Sequence, residues 1–205
     1  MSEIKVDTLS TVSGSGNITL SNNVASLTSA GAISGTNLTA SGTLTSTGLI
    51  TASAGLAVGG TGTANTLDDY EEGTWTPRLQ DLNGNEASAY TSGYPVGTYT
   101  KVGRHVWVNF SIRITNKGSM TGNYVHVAGL PFNRDATGEG RGTGTIDYYS
   151  GLASSRSYLA LDCTSTTSVM WLVGGSNSTS TSYVSVGNLN NTCMFKGGAH
   201  YITAS

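Results

Sequence analysis

The chain contains 205 residues, carries a formal net charge of −2 at pH 7, and has charged side chains at only 11% of its positions. A surface that binds nucleic acid through phosphate contacts needs an excess of Lys and Arg, so this balance excludes an electrostatic nucleic-acid binder. No stretch reaches the roughly 18 apolar residues of a membrane span, and the polar start Met1–Asp7 lacks the apolar segment of a secretory signal peptide. We therefore expect no membrane insertion.

The first 26 residues alternate polar and apolar side chains on both sides of a short Gly/Ser segment. Glu3–Thr8 and Asn17–Leu20 are the alternating stretches, and Ser13–Gly16 separates them. Alternation with a two-residue period is typical of a strand, and Gly/Ser clusters are typical of turns. The pattern predicts a small β-hairpin at the N-terminus.

Residues 27–67 form a repetitive segment within a longer run, Thr8–Leu67, that has no charged and no aromatic side chain. Aliphatic side chains recur in it every five or six residues, at Leu27, Ile33, Leu38, Leu44, Ile50 and Leu56. This spacing fits neither a helix nor a long flat strand, and it is typical of short β-segments separated by glycine corners. One chain offers these side chains no partner, so we expect a β-shaft in which three chains turn their aliphatic residues inward. A flexible Gly/Ser linker is the alternative.

Residues 68–205 contain every aromatic side chain and are long enough to form a hydrophobic core. The clearest strand is Arg104–Ile114, in which alternate residues from Val106 onward are apolar and Trp107 lies on the other face. Shorter strands are predicted at Gly97–Val102, Asn123–Ala128, Gly144–Ser150, Tyr158–Cys163, Val169–Val173, Tyr183–Val186 and Met194–Thr203. Turn residues separate them at Asn83–Gly84, Asn116–Gly118, Gly138–Gly144 and Gly174–Asn177. The fold prediction is all-β, with an N-terminal β-hairpin and a trimeric β-shaft followed by an antiparallel β-sandwich or jelly-roll head.

Several motifs resemble those of bacteriophage tail-fibre proteins. The segment Asp68–Pro77, with the sequence DDYEEGTWTP, resembles the junction between a Thr/Ser/Gly-rich stalk and a C-terminal β-domain in such proteins. The other similar segments are Glu3–Asp7, Gly14–Ile18, Gly97–Arg104 and Gly129–Phe132. The junction motif is the most specific of these, and the stalk resembles the family only in composition.

This resemblance implies a homotrimeric virion protein with three regions. Residues 1–26 would anchor the protein to a phage tail or baseplate protein, residues 27–67 would form the shaft, and residues 68–205 would form a head that binds the host surface. The ligand expected on the host is a glycan or an outer-membrane component. The protein would be located in the virion tail and assembled in the cytoplasm of the host bacterium. A structural appendage without receptor specificity is the alternative.

A second alternative is a polysaccharide depolymerase, which phage fibres sometimes carry. Hydrolysis of a glycoside requires two carboxylates that face one cleft. Only Asp147 and Asp162 fall on predicted strands of the head, and nothing in the sequence pairs them. His105, His126 and His200 follow no motif of a nucleophilic enzyme, and they are expected on polar strand faces. We therefore predict a protein that is not an enzyme, without catalytic residues.

The sequence offers little support for a metal site or a cofactor, and we expect neither. Asp81–Glu86 has oxygen-bearing side chains at alternate positions, but Gly84 comes two positions too early for an EF-hand loop, so a hairpin turn is predicted. The acidic run Asp68–Glu72 is expected to form a solvated collar between stalk and head. Cys163 and Cys193 are expected to be free buried thiols, because virion proteins assemble in a reducing cytosol; a disulfide is the alternative.

Aromatic side chains with a nearby cation are the expected receptor contacts, because aromatic faces bind sugar rings and polar groups fix their hydroxyls. The densest such region contains Tyr148, Tyr149, Arg156, Tyr158 and Trp171, which are the predicted receptor-binding residues. Trp107 also points outward from its strand, but it is expected in the interface between subunits of the trimer.

Overall fold

The computed structural model describes residues 40–135, 142–163, 168–175 and 180–204. The chain divides into two compact units, Met1–Ile50 and Thr51–Ser205. The predicted N-terminal hairpin, the start of the predicted shaft, and the predicted turn residues 138–141 and 176–177 lie outside the described residues. The predicted domain boundaries after residues 26 and 67 therefore stay predictions.

Residues 40–50 are the described part of the first unit, and they form no strand. Three aliphatic side chains of this segment are largely open to solvent, with exposed fractions of 65% at Leu44, 93% at Leu49 and 64% at Ile50. Burying such a side chain is worth roughly 1.5–3 kcal/mol, so leaving three in water forgoes a sizeable contribution to stability.

The second unit begins with a small two-stranded hairpin. Strand β1, Leu56–Ala57, pairs antiparallel with strand β2, Thr66–Leu67, and a short 3-10 helix, Thr63–Asn65, precedes β2. Gly55 precedes the hairpin with a φ of +92°. A Cβ at Gly55 would lie 2.7 Å from the Cγ2 atom of Thr66, so a side chain does not fit there.

Eleven further strands form a single antiparallel sheet. They are β3, Tyr70–Trp75; β4, Arg78–Asp81; β5, Ala89–Tyr90; β6, Val96–Val102; β7, His105–Asn116; β8, Val125–Ala128; β9, Gly142–Leu152; β10, Tyr158–Cys163; β11, Val169–Gly175; β12, Ser182–Tyr183; and β13, Leu189–Ile202. The strand order is β3-β6-β7-β13-β9-β10-β11-β8-β4, with β5 beside β7 and β12 beside β11. The all-β prediction with an antiparallel sheet is confirmed.

The sheet is curled, because its two edge strands are neighbours in the chain. β3 ends at Trp75 and β4 begins at Arg78, yet these strands lie at opposite ends of the strand order. Three residue steps span at most about 10 Å, so the two edges must approach each other there. One curled sheet thus encloses the core, and the sandwich or jelly-roll arrangement of the head stays a prediction.

The core lies inside the curl, and the two longest strands contribute much of it. In β7 the predicted alternation is confirmed: Val106 and Ile112 are fully buried, whereas Trp107 on the other face is 45% exposed. β13 lies next to β7 and turns Phe195 and Tyr201 into the same core, both without exposed surface. Each full burial of a large apolar side chain stabilises the fold, so these central strands anchor it.

The acidic junction Asp68–Glu72 enters the sheet at Tyr70, where β3 begins, and the side chains of Asp68, Glu71 and Glu72 are exposed to solvent, as the predicted collar requires. β3 pairs with β6 over its whole length. Asp69 forms an ion pair with Lys101, whose side chain is buried and lies 5.2 Å from the centre of the Phe132 ring. The reason is that a buried ammonium group requires an opposite charge beside it, and the junction supplies that charge.

The predicted turn at Asn83–Gly84 is present and is organised by the carboxylate of Asp81. The Gly84 amide donates to the Asp81 carbonyl oxygen at 3.0 Å, and Gly84 has a φ of +82°. Burial of the carboxylate opposes ionisation, but hydrogen bonds from the Asn85 side chain and from several backbone amides hold the pKa of Asp81 well below its usual range. Both carboxylate oxygens of Asp81 thus accept hydrogen bonds from the protein itself.

The two cysteines are separate, buried free thiols. Cys163 pairs across the sheet with Gly142, whereas Cys193 pairs with Ile114 on another strand. Burial raises the pKa of each thiol to about 12, which keeps both protonated at neutral pH. Among the described residues, no helix is long and apolar enough to cross a membrane.

Candidate functional site

A row of mostly small side chains crosses five strands on the outer face of the sheet. In the strand order β7-β13-β9-β10-β11, the residues Asn109, Gly198, Thr145, Ala160 and Val173 are successive partners in register. Their immediate chain neighbours point into the core, because side chains alternate between the two faces of a strand. We call the surface above Gly198, Thr145, Ala160 and Val173 the outer groove, and these four residues form its floor.

The first wall of the outer groove is a second row of residues beside the floor. On each strand, its residue lies two positions from the residue of the first row. Its members are also register partners in turn, namely Trp107, His200, Thr143, Asp162 and Trp171. An indole ring therefore stands at each end of this wall, and groups that form hydrogen bonds lie between the two rings. Trp107 and Trp171 are four inter-strand steps apart, about 19 Å along the sheet.

The second wall contains two tyrosines and a lysine on the opposite side of the floor. Tyr148 pairs with Lys196, whose ammonium nitrogen lies 5.6 Å from the centre of the tyrosine ring. Tyr158 is 46% exposed, and its hydroxyl hydrogen-bonds to the Thr181 hydroxyl. The cation–π contact and the hydrogen bond both fix side chains that would otherwise rotate freely at the surface.

Two depressions in the protein surface follow this row. One, of about 640 Å³, lies over β7, β13 and β9, and its lining includes Trp107, Gly198, Lys196 and Thr143. The other, of about 450 Å³, lies over β9, β10 and β11, and its lining includes Thr143, Ala160 and Tyr158. Because Thr143 lines both, the depressions adjoin and form one path across the strands.

Gly198 makes the depression on β13 possible. A Cβ atom at this position would lie 2.6 Å from Oδ1 of Asn109 and 3.0 Å from the backbone oxygen of Val108. Any larger residue would push the Asn109 side chain aside and raise the floor between the walls. The absence of a side chain here therefore keeps the groove open at its centre.

An aromatic cluster closes the groove at the β12 end. Tyr183 pairs with Val173, the last floor residue, and its ring centre lies 5.8 Å from that of Trp171 and 4.8 Å from that of Tyr124. The Trp171 and Tyr124 rings meet edge to face at 6.4 Å. Both tyrosines are about 40% exposed, so the cluster presents ring surface to solvent while its rings hold one another in place.

His126 lies beneath this cluster, which corrects the prediction that it occupies a polar face. It is 5% exposed, its ring centre is 4.8 Å from that of Trp171, and its Nε2 atom is 3.4 Å from Oε1 of Gln80. Burial lowers the pKa of His126, and the negative charge of Asp81 opposes that shift. The strand has two covered faces because aromatic rings pack over its outer side, and sequence alternation alone does not reveal this.

The opposite end of the groove carries a stack of three rings. His105 stacks on Trp107 with ring centres 4.0 Å apart, and on His200 at 5.4 Å. Burial and the neighbouring His200 both lower the pKa of His105. Trp107 is thus held in a fixed orientation, which reduces the entropy that a ligand stacking on it would have to remove.

The predicted receptor-binding residues divide into two groups. Tyr148, Tyr158 and Trp171 stand in the walls of the outer groove. Tyr149 is half-buried against the core, and its hydroxyl donates to the backbone oxygen of Arg156 at 2.7 Å. The guanidinium of Arg156 donates to the Gly174 oxygen, to the Ser182 hydroxyl and to the Asn188 side-chain oxygen, at 2.9, 3.0 and 3.2 Å. These last two candidates hold loops together and do not line the groove.

Two acidic residues, Asp147 and Asp162, line the outer groove. Asp162 is the register partner of Thr143, and Asp147 lies four residues further along β9. The floor residue Thr145 lies between Thr143 and Asp147 along β9, so the two acidic residues stand on opposite sides of the floor. Within the described ranges, no three His, Cys, Asp or Glu side chains are grouped as metal ligands.

Sequence reasoning missed several groove residues. Tyr124 is the residue before β8, and Tyr183 belongs to β12. His200 and Lys196 belong to β13, the last strand. The residues of the groove are far apart in the chain, from Trp107 to His200. The register of the strands is what brings them together on one surface. The alternation of Lys196, Gly198 and His200 along β13 was the available signal, since it indicates one outward face with a gap at its centre.

Comparisons with known proteins bear on the fold. No family model matches the sequence, and no curated protein matches it. The crystal structure of the Dettilon tailspike protein is similar, with a TM-score of 0.52 and 16% sequence identity. The match covers 65% of this chain and 24% of that one, so it spans about a quarter of the tailspike's length. The matched 65% of this chain therefore shares its fold with part of a tailspike protein.

Proposed function

We propose that this protein is a bacteriophage tail appendage whose C-terminal unit binds a carbohydrate on the host surface through the outer groove. The observation that carries the proposal is the groove itself, a floor of small side chains between walls of exposed aromatic and polar groups. The shared fold with part of a tailspike protein is consistent with this role, and so is the resemblance of the junction Asp68–Pro77 to tail fibres.

The chemistry of the walls suits sugars. A pyranose ring has an apolar face of C–H groups, which packs on the face of an indole or a phenol, and a rim of hydroxyls, which requires donors and acceptors. Trp107 and Tyr158 offer such faces, and Thr143, His200 and Lys196 offer hydrogen-bonding groups within the same groove. The walls stand on the strands of a sheet, so their spacing is fixed before the ligand arrives.

The remainder of the proposal concerns assembly. We expect a homotrimer located in the virion tail, with the N-terminal 26 residues bound to a tail or baseplate protein. The exposed side chains of Leu44, Leu49 and Ile50 support the trimer, because three chains wound together would bury them. Light scattering after size exclusion measures the mass: about three times 21.0 kDa is expected, and a monomer would contradict the trimer.

The test of carbohydrate binding uses the full-length protein with a fluorescent label on a panel of bacterial strains. Ala160→Phe fills the floor of the groove, and Ser150→Phe places the same side chain on the outer face of β9 beyond the groove. We expect the wild type and Ser150→Phe to bind the same strains, and Ala160→Phe to lose at least tenfold in bound fluorescence. Periodate, which cleaves sugar diols, should abolish binding when the cells are treated with it beforehand.

Three outcomes would contradict the proposal. Equal binding by both variants would place recognition outside the groove. Binding that survives periodate but not protease treatment of the cells would make the ligand a protein. Absence of binding to every strain would favour a structural appendage without receptor specificity.

A further inference from the structure

The direction of the outer groove relative to the strands limits what its ligand can be. The floor crosses the strands at right angles and passes from β7 to β11 through paired residues. A peptide that added to the sheet would run parallel to the strands and would need unpaired backbone groups, and β13, β9 and β10 each have partners on both sides. The ligand must therefore bind through side chains and lie across the strands.

The length of the groove indicates several rings. Trp107 and Trp171 stand about 19 Å apart along the first wall, a distance of about four linked sugar rings when each spans roughly one inter-strand step. Thr143 lies midway between them and lines both depressions. A single sugar could contact only one end of this wall.

The charges of the groove argue against an acidic ligand. Among the described residues that line the two depressions, Lys196 carries the positive charge of a Lys or Arg, and Asp147 and Asp162 are carboxylates. The nearby guanidinium of Arg156 donates to the Gly174 oxygen of β11 and to the Asn188 side chain, and it lines neither depression. Proteins that bind polyanions provide an excess of Lys and Arg. The described lining of this groove has no such excess, because Lys196 is accompanied by two carboxylates.

We propose that the outer groove binds an internal stretch of about four rings of an uncharged linear polysaccharide, laid across the strands from Trp107 to Trp171. This inference rests on the proposed carbohydrate-binding function and specifies its ligand. Each indole stacks on one end of the stretch, and His200, Thr143 and Lys196 bond hydroxyls between them. Selectivity follows from the absence of an excess of Lys and Arg among the described groove residues, which leaves an acidic group on every repeat of a chain without a counter-charge.

The test uses native gels cast with defined linear polysaccharides. The neutral polymers are dextran, pullulan, a linear β-glucan and a galactan; the acidic polymers are alginate, polygalacturonate and hyaluronate. We expect the full-length protein to be retarded by at least one neutral polymer and by no acidic one, with retardation unchanged between low and high salt. Retardation only by acidic polymers, or by none of the seven, would overturn the inference.

Chain length and position are tested with fragments of the polymer that retards the protein. Fragments of one, two, four and six rings compete with the intact polymer, and we expect at least a tenfold gain from two rings to four and little beyond. Trp107→Ala and Thr143→Val should each weaken retardation at least fivefold while the far-ultraviolet circular dichroism is unchanged; Ser150→Phe is the matched control. A single ring that competes as well as four would overturn the inference.

The outcomes separate this inference from the function on which it rests. If labelled protein binds cells through the groove but prefers acidic polymers or single sugars, the proposed function stands and the ligand assignment fails. If Ala160→Phe binds cells as well as the wild type, the function itself fails.

Discussion

Replacement of Asp81 by Asn should destabilise the C-terminal unit far more than its small change in shape suggests. One oxygen of the carboxylate accepts hydrogen bonds from the amides of Asn83 and Asn85, both at 2.9 Å. The other accepts from the Asn85 side chain at 3.0 Å and from the amides of Thr121 and Gly122 at 2.8 and 2.9 Å. A carboxylate has two acceptor oxygens, whereas an asparagine side chain has one oxygen and a donor NH₂ group.

The magnitude follows from the donors that lose their acceptor. Whichever way the amide of Asp81→Asn is turned, its NH₂ group faces at least two N–H groups of the turn. Each buried donor left unsatisfied costs about 1–3 kcal/mol, and the shallow cover over this turn favours the lower part of that range, about 2–4 kcal/mol in total. For a unit of this size each kcal/mol lowers the melting temperature by about 2–4 °C, so a fall of about 5–15 °C is expected.

Thermal unfolding followed by circular dichroism at pH 7 measures this shift. Asp147→Asn is the control, because Asp147 is an exposed carboxylate on the same unit, and its melting temperature should change by less than about 2 °C. The reasoning would be refuted if the melting temperature of Asp81→Asn also decreased by less than about 2 °C. It would mean that water satisfies the amides of the turn.

Three further predictions concern protonation, loop anchoring and thiol access. The folded-state pKa values of His105 and His126 are lowered, so the unfolded chain binds more protons than the folded chain as the pH falls below about 6.5. The melting temperature should therefore be lower at pH 5.5 than at pH 7.5. Replacement of both histidines by Gln should reduce this difference. Arg156→Ala should lower the melting temperature by several degrees, since three acceptors lose their donor, whereas Arg156→Lys should restore part of the loss; no change in either would remove its anchoring role. Cys163 and Cys193 should react with a thiol reagent only in denaturant, and rapid labelling of the native protein would contradict their burial.

The sequence predicts the strands that have strong alternation, and it misses the short polar ones at the sheet edges. β7 is predicted at nearly its observed bounds because its inward side chains are all large and apolar. β3 was interpreted as a collar because Glu71 and Glu72 dominate its composition, and β4 has only four residues. An edge strand gains its stability from backbone pairing and from one partner such as Lys101, and neither leaves a periodic signal.

Three of the five predicted receptor-binding residues stand in the groove, because exposed aromatic side chains can be recognised locally. The groove itself could not be predicted, since its floor and walls depend on the register of five strands. Arg156 was assigned to recognition by its proximity in sequence to Tyr158, yet its guanidinium donates to the Gly174 oxygen of β11 and to the side chain of Asn188. The sequence identifies the types of residue available, whereas the register decides which of them meet.

The position of the last strand has a consequence for the biosynthesis of this protein. β13 lies between β7 and β9 at the centre of the sheet, and it is synthesised after every other described strand of the unit. Before it appears, the nascent chain can form two separate half-sheets, each with an unpaired central edge open to pairing with another chain. Folding of the unit must therefore follow synthesis of β13, and loss of this fourteen-residue strand would leave two aggregation-prone halves rather than a shortened domain. Ribosome-bound intermediates of this unit should remain sensitive to protease until its last residues emerge.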